Sequence, residues 1–139
     1  MNWPLILQLS LFGLAMAIAT VFVVPSSVEP ILWLAIFLLC AYAIAKRAPG
    51  HLFWHGLLLG VVNSVWVTSA HVLLFDAYLA HHAREAEAMR SIPVPVSPRL
   101  LMAIIGPCIG VVSGIVIGLL ALLAGRLVRR SGAPPPTPA

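Results

Sequence analysis

The residues of this chain with the most chemistry to offer are five histidines, four carboxylates, two cysteines and two tyrosines. His71, Asp76, Tyr78, His81 and His82 crowd into one stretch and carry donor types that suit Zn²⁺ or Cu²⁺. Their offsets of five and six scatter them around a helix, whereas a ligand pair wants i, i+4 on one face. Haem held between helices needs an axial histidine from each of two, and only one apolar helix of this chain carries any. No metal and no cofactor is expected. Asp76 is expected to do no more than pair with Arg99.

Catalysis fares no better. No nucleophile stands beside a base, no two carboxylates are paired, and no glycine-rich phosphate loop or dinucleotide fingerprint occurs. None of the four acidic residues falls deep within an apolar run. Cys40 and Cys108 both do, without CxxC spacing, and read as small hydrophobes rather than a disulfide pair. The chain is therefore expected not to be an enzyme.

The elements that carry these residues follow from composition. Of 139 residues 61% are hydrophobic and 9% charged, and mean hydropathy is +1.05. A soluble domain carries about a quarter charged residues to hydrate its surface. This chain lacks them, so lipid is its solvent and one partner. The net charge of +4 lies mostly beside apolar runs, as topology-setting charges do, with no basic patch interleaved with aromatics; nucleic acid is excluded as a partner.

Four membrane-spanning helices in an all-α bundle are predicted, over about 4–24, 28–47, 51–90 and 98–127, forming one transmembrane domain over 1–130. Leu5 to Val24 is long enough to span, and no Lys or Arg precedes it as a signal peptide would require. Ser27 is placed to cap the second helix, with Glu29 and Pro30 in its first turn and Lys46-Arg47 at its end. Ala48-Pro49-Gly50 breaks the chain. The third helix is expected to run on past the membrane through the polar, helix-forming residues His81 to Arg90. Ser91 to Pro98 reads as an extended linker and residues 131–139 as a disordered proline-rich tail.

Five of the eight Lys and Arg residues, Lys46, Arg47, Arg126, Arg129 and Arg130, share a side with both termini; Arg84, Arg90 and Arg99 lie opposite. That bias points to cytoplasmic termini. Trp3, Tyr42 and Trp54 are expected at the inner interface and Tyr78 at the outer one.

At about 100° per residue, Gly56, Gly60, Asn63, Ser64, Thr68, His71, Tyr78 and His82 fall within one arc of roughly 140° on the third helix. Asn and His facing lipid would leave polar groups unpaired, so this face looks into the bundle, an interface or a wet cavity. Two readings compete. Asn63, Thr68, His71 and Tyr78 are interhelical hydrogen-bonding groups, or they line a polar pathway. On the fourth helix Gly106, Gly110, Gly114 and Gly118 form one ridge. Glycine costs about 1 kcal/mol per residue in a helix, so four in register imply a backbone-to-backbone contact. The row Gly56, Gly60, Ser64 is its natural counterpart.

The segments His55-Gly56-Leu57-Leu58-Leu59-Gly60-Val61-Val62-Asn63-Ser64 and Gly106-Pro107-Cys108-Ile109-Gly110-Val111-Val112-Ser113-Gly114 resemble those of small four-span bacterial inner-membrane proteins of no assigned activity. The resemblance implies a bacterial inner membrane. In size and span count the chain is also similar to proton-coupled exporters of the small multidrug resistance type. Those carry a glutamate in the first helix, where this chain has only Gln8, Ser10 and Thr20. The function expected is a non-enzymatic integral membrane protein that self-associates or serves as a small subunit, with a second copy or a membrane complex as partner. The alternative is a small channel or transporter whose route is lined by the polar face of the third helix.

Overall fold

The computed structural model describes residues 1–91 and 96–131. Among these, six helices follow one another: α1 (Trp3–Phe22), α2 (Glu29–Arg47), α3 (Leu52–Leu73), α4 (Phe75–His81), α5 (Ala83–Ser91) and α6 (Pro98–Ser131). Four of them, α1, α2, α3 and α6 over Pro98–Val128, are long and apolar enough to cross a bilayer. The chain is an all-α polytopic membrane protein. Residues 92–95 of the expected linker and 132–139 of the expected tail lie outside the described residues, while Ser91, Pro98 and Ser131 belong to helices.

Local chemistry sets most helix ends. Asn2 caps α1, its side-chain oxygen accepting the Leu5 N–H at 3.2 Å, one of the donors that a helix start leaves unpaired. Ser27 does not cap α2, contrary to the sequence reading. The N-cap is Val28, without a side-chain bond, because the Pro25 carbonyl already takes the Val28 and Glu29 N–H groups at 3.0 and 3.2 Å. The α2–α3 turn uses positive φ at Gly50 (157°) and His51 (49°), which a glycine meets without penalty. α6 runs unbroken through Pro107.

The expected continuation of the third helix is helical but not continuous. It breaks at Leu74, with φ −105° and ψ 32°, and again at His82, with φ −125° and ψ 68°. No glycine or proline marks either break. Both belong to a tertiary arrangement in which Phe75, Tyr78, His82 and Ala86 are buried.

α3 and α6 form the central pair and make the most extensive contact; α1 flanks α3, α2 flanks α6, and α1 and α2 hardly meet. The pair is antiparallel, with small residues opposed along its length. A Cβ on Gly56 would fall on the backbone of Gly118, and one on Gly60 on that of Gly114. A Cβ on Gly110 would meet Ser64, and one on Gly106 would meet Thr68. From the other side, a Cβ on Gly114 would stand 2.5 Å from the Leu57 carbonyl oxygen, and one on Gly118 2.7 Å from that of Phe53. At Gly56, Gly60, Gly114 and Gly118 no side chain fits between the two backbones, whereas at Gly106 the obstacle is the Thr68 side chain alone. Next to this contact lies the dry core: Ile6 and Leu9 of α1, Cys40 and Ile44 of α2, Leu59 of α3, Ile117 and Ala121 of α6.

Charge separates along the bundle. Lys46, Arg47 and Arg126 stand at the end where α1 and α3 begin and α2 and α6 finish. All four acidic residues stand at the other end, in the first turn of α2 or in α4 and α5. Trp3, Tyr42 and Trp54 are exposed near the basic end. Tyr78 is not a lipid-facing belt residue: it is 7% exposed.

Replacing Gly114 with leucine is expected to lower stability by at least about 2 kcal/mol, the cost of overpacking a close contact. Leu119→Ala, at a residue exposed on the outside of α6, should change it far less. Thermal unfolding in detergent checks this; equal effects would mean that the α3–α6 contact is not made.

Candidate functional site

The polar arc predicted on the third helix divides between two neighbours. Gly56, Gly60, Ser64 and Thr68 face α6. Asn63 and His71 face α1: the Asn63 side chain fills the space left by Gly13, and His71 Nε2 lies 3.1 Å from Thr20 Oγ. One row allows close approach; in the other, His71 meets Thr20, whereas the Asn63 amide makes no interhelical hydrogen bond, both of its polar atoms being buried without a partner.

Beyond the core, towards the acidic end, α2, α3 and α6 leave a cavity of about 940 Å³. Ser64, Thr68 and His71 stand along its α3 wall, and Trp33 and Phe37 along α2. Ile105, Ile109 and Ser113 contribute from α6. Tyr78 of α4, with Glu85, Ala88 and Met89 of α5, closes the end. The break at Leu74 thus turns the polar continuation of α3 into a roof. Ser26 fastens it by donating to Glu85 Oε2 at 3.1 Å. Outside the cavity, Arg99 pairs with Asp76 at 2.9 Å, as the sequence suggests, and lies over the Phe75 ring.

Three rings stack beside the roof. His71 and Tyr78 have centroids 4.3 Å apart at 28°, and Tyr78 and His82 4.2 Å apart at 15°. His82 Nδ1–H donates to the Tyr78 carbonyl at 3.0 Å, so Nε2 is the bare acceptor, buried without a partner. Imidazole lone pairs lie in the ring plane, and stacked planes do not aim them at one ion. Among the described residues no three His, Cys, Asp or Glu side chains group as metal ligands.

Two carboxylates belong to the cavity. Glu29 accepts the Trp33 indole N–H at 3.1 Å, and Glu85 accepts from Ser26. Neither is paired with a cation: the salt bridges among the described residues are Arg90–Glu87 and Arg99–Asp76. Burial pushes the Tyr78 phenol up to about 12, and the Glu29 and Glu85 carboxylates add to that shift. Tyr78 is therefore neutral and a hydrogen-bond donor across the physiological range.

Pattern reading missed His55, fully buried where α3 begins. Its Nδ1–H donates to the His51 carbonyl at 3.0 Å, which leaves Nε2 to accept the Asn2 backbone N–H at 2.9 Å. This bond ties the start of α1 to the start of α3. The i, i+4 spacing of His51 and His55 was a faint signal, but the partner on α1 is visible only in three dimensions. Trp66 of α3 donates its indole N–H to Ser10 Oγ of α1 at 3.2 Å.

No family model, curated protein or solved structure matches the chain. Its functional reading rests on this geometry.

Thr68 Oγ is buried against Gly106 without a hydrogen-bond partner. Thr68→Val keeps the shape and removes an unpaired hydroxyl, so stability should hold or rise by up to about 1 kcal/mol. A fall of that size in thermal unfolding would show that the hydroxyl is bonded.

Proposed function

We propose that the chain is a non-enzymatic membrane protein that takes a small amphipathic solute into the cavity between α2, α3 and α6, the transport reading of the polar face of α3. The observation that carries this is the cavity itself, with a polar wall on α3, apolar walls on α2 and α6, and a roof closed over one end. Sites for small molecules are concave and mostly apolar, with a few placed polar groups. Below it, the core around Leu59, Ile44 and Ile117 closes the path towards the basic end. A cavity roofed at the acidic end and shut towards the basic end is not a continuous pore, which favours a carrier over a channel.

The roof favours a solute with positive charge. Glu29 and Glu85 stand without a cation, and Trp33 lines the cavity beside Glu29, while the faces of the Tyr78 ring are taken by His71 and His82. Carboxylates and aromatic faces both attract an organic cation, more strongly where water is thin. The phenol of Tyr78 and the hydroxyl of Ser26 supply hydrogen bonds.

The membrane is a bacterial inner membrane in this proposal, with both termini cytoplasmic. The support is the collection of Lys46, Arg47, Arg126, Arg129 and Arg130 at the terminal side, with every acidic residue opposite. Assembly with a second copy or a larger membrane complex is the second reading. It draws support from α2, where only 17% of the spanning window is buried by the rest of the chain. The glycine ridge lends it none, since α3 occupies the ridge.

Tetraphenylphosphonium and tetraphenylborate, ions of one shape and opposite charge, test this in equilibrium dialysis of the purified chain against empty micelles. The phosphonium should bind, the borate should not, and Glu29→Gln or Glu85→Gln should weaken binding about tenfold. Glu87→Gln, at an exposed residue paired with Arg90, should leave it unchanged. A cysteine at Val67 should react with a small thiol reagent and be protected by the phosphonium. Equal binding of both ions would remove the charge preference; no binding and no labelling would remove the cavity reading.

A further inference from the structure

A second concavity lies on the opposite flank, near the basic end, where α1 and α2 hardly meet. It is a groove of about 660 Å³. Leu11, Phe12 and Ala15 of α1 form one side, and Leu39 and Ala43 of α2 the other. Its polar members are Gln8, Tyr42, Lys46 and Arg47. From Leu39 to Arg47 the groove runs eight residues along α2, about 12 Å at 1.5 Å per residue. That is a large part of the length of an acyl chain within one leaflet.

Two observations say what occupies it. First, the rim is positive and unopposed. Lys46 and Arg47 are exposed, neither is in a salt bridge among the described residues, and all four acidic residues belong to the far end of the bundle. Lys46 sits 5.2 Å from the centroid of the Tyr42 ring, a contact that holds the ammonium over the groove mouth. Second, Gln8 is an exposed amide within a spanning helix. None of the side-chain hydrogen bonds of the described residues involves it. An amide facing only acyl chains would be left unpaired at a cost of kilocalories. Five residues past Trp3, it lies about 7.5 Å below the start of α1, within reach of the glycerol ester level for a long side chain.

We propose that this groove is a binding site for one anionic phospholipid. An acyl chain lies between α1 and α2, the glycerol ester accepts from the Gln8 amide, and the phosphate rests on Lys46 and Arg47. Basic pockets between spanning helices take anionic head groups in this way. The site is separate from the solute cavity and does not depend on it. The lipid would fill the gap between α1 and α2 as a structural ligand.

Native mass spectrometry of the delipidated full chain tests this, with phosphatidylglycerol and phosphatidylcholine of equal chain length offered in competition. One phosphatidylglycerol per chain should be retained about tenfold over phosphatidylcholine. The Lys46→Gln/Arg47→Gln pair should abolish that preference, whereas Lys46→Arg should keep it. Gln8→Leu should weaken retention of both lipids. Ala15→Trp, which fills the groove and leaves the rim charges alone, should prevent retention of either. Thermal unfolding of each variant identifies any that has lost its fold, and the conservative Lys46→Arg variant then carries the comparison. Equal retention of the two lipids by the parent chain would overturn the proposal, as would an undiminished preference in the doubly substituted chain. Dimers that vanish on Ala15→Trp would overturn it too, and would make the groove a contact between copies.

Discussion

The rest of this bundle depends on how closely two backbones approach. α3 and α6 meet where Gly56, Gly60 and Ser64 oppose Gly118, Gly114 and Gly110. In water such a contact would be driven by hydrophobic burial. In lipid that drive is absent, and association relies on dispersion between closely packed backbones. Glycines that weaken a helix by about 1 kcal/mol each are tolerated because they permit this packing.

With the centre of the bundle so thin, the outer helices cannot close on one another. α1 lies against α3 and α2 against α6. One flank is left with the basic-rimmed groove between α1 and α2. The other flank has a cavity between α2, α3 and α6 towards the acidic end. Both concavities follow from the same contact. Among the polar groups, His71 and Trp66 meet Thr20 and Ser10 of α1, Asn63 lies against Gly13 with neither polar atom bonded, and Glu29 and Glu85 stay at the acidic end. No carboxylate is sunk among the apolar residues of the core around Leu59, Ile44 and Ile117.

Much of this was legible in the sequence because lipid imposes simple rules. A span must be apolar for about 20 residues, so the four helices could be read from hydropathy alone. Their starts shifted little; α1 begins at Trp3 rather than Pro4, α2 at Glu29 rather than 28, and α3 at Leu52 rather than 51, but α3 stops at Leu73 where 90 was expected. The facing rows of small residues were readable because a helical glycine is costly unless something uses the space. The Asp76–Arg99 pair followed from opposite charges at one interface. The breaks at Leu74 and His82 were not readable, since neither carries a glycine or proline and both arise from where Tyr78 and His82 stack. Counting at 100° per residue therefore held as far as His71 and failed at Tyr78, which reaches the cavity from another helix. The roof formed by α5 was invisible for the same reason. Ser27 looked like a cap by type, but the Pro25 carbonyl supplies the turn.

The register of α3 against α6 can be measured directly. Thr68 Cβ lies 3.0 Å from the position of a Cβ on Gly106, so the pair reaches the 3.5–4.5 Å Cβ separation of a disulfide (about 3.8 Å on average) once the helices part by less than about 1 Å. In a chain with Cys40 and Cys108 replaced by alanine, cysteines at positions 68 and 106 should form an intramolecular disulfide under mild oxidation. The product should migrate as a monomer, and its two halves should stay joined after cleavage between Arg84 and Arg99. Failure to cross-link, or cross-linking only between chains, would contradict the α3–α6 contact and with it the placement of both concavities.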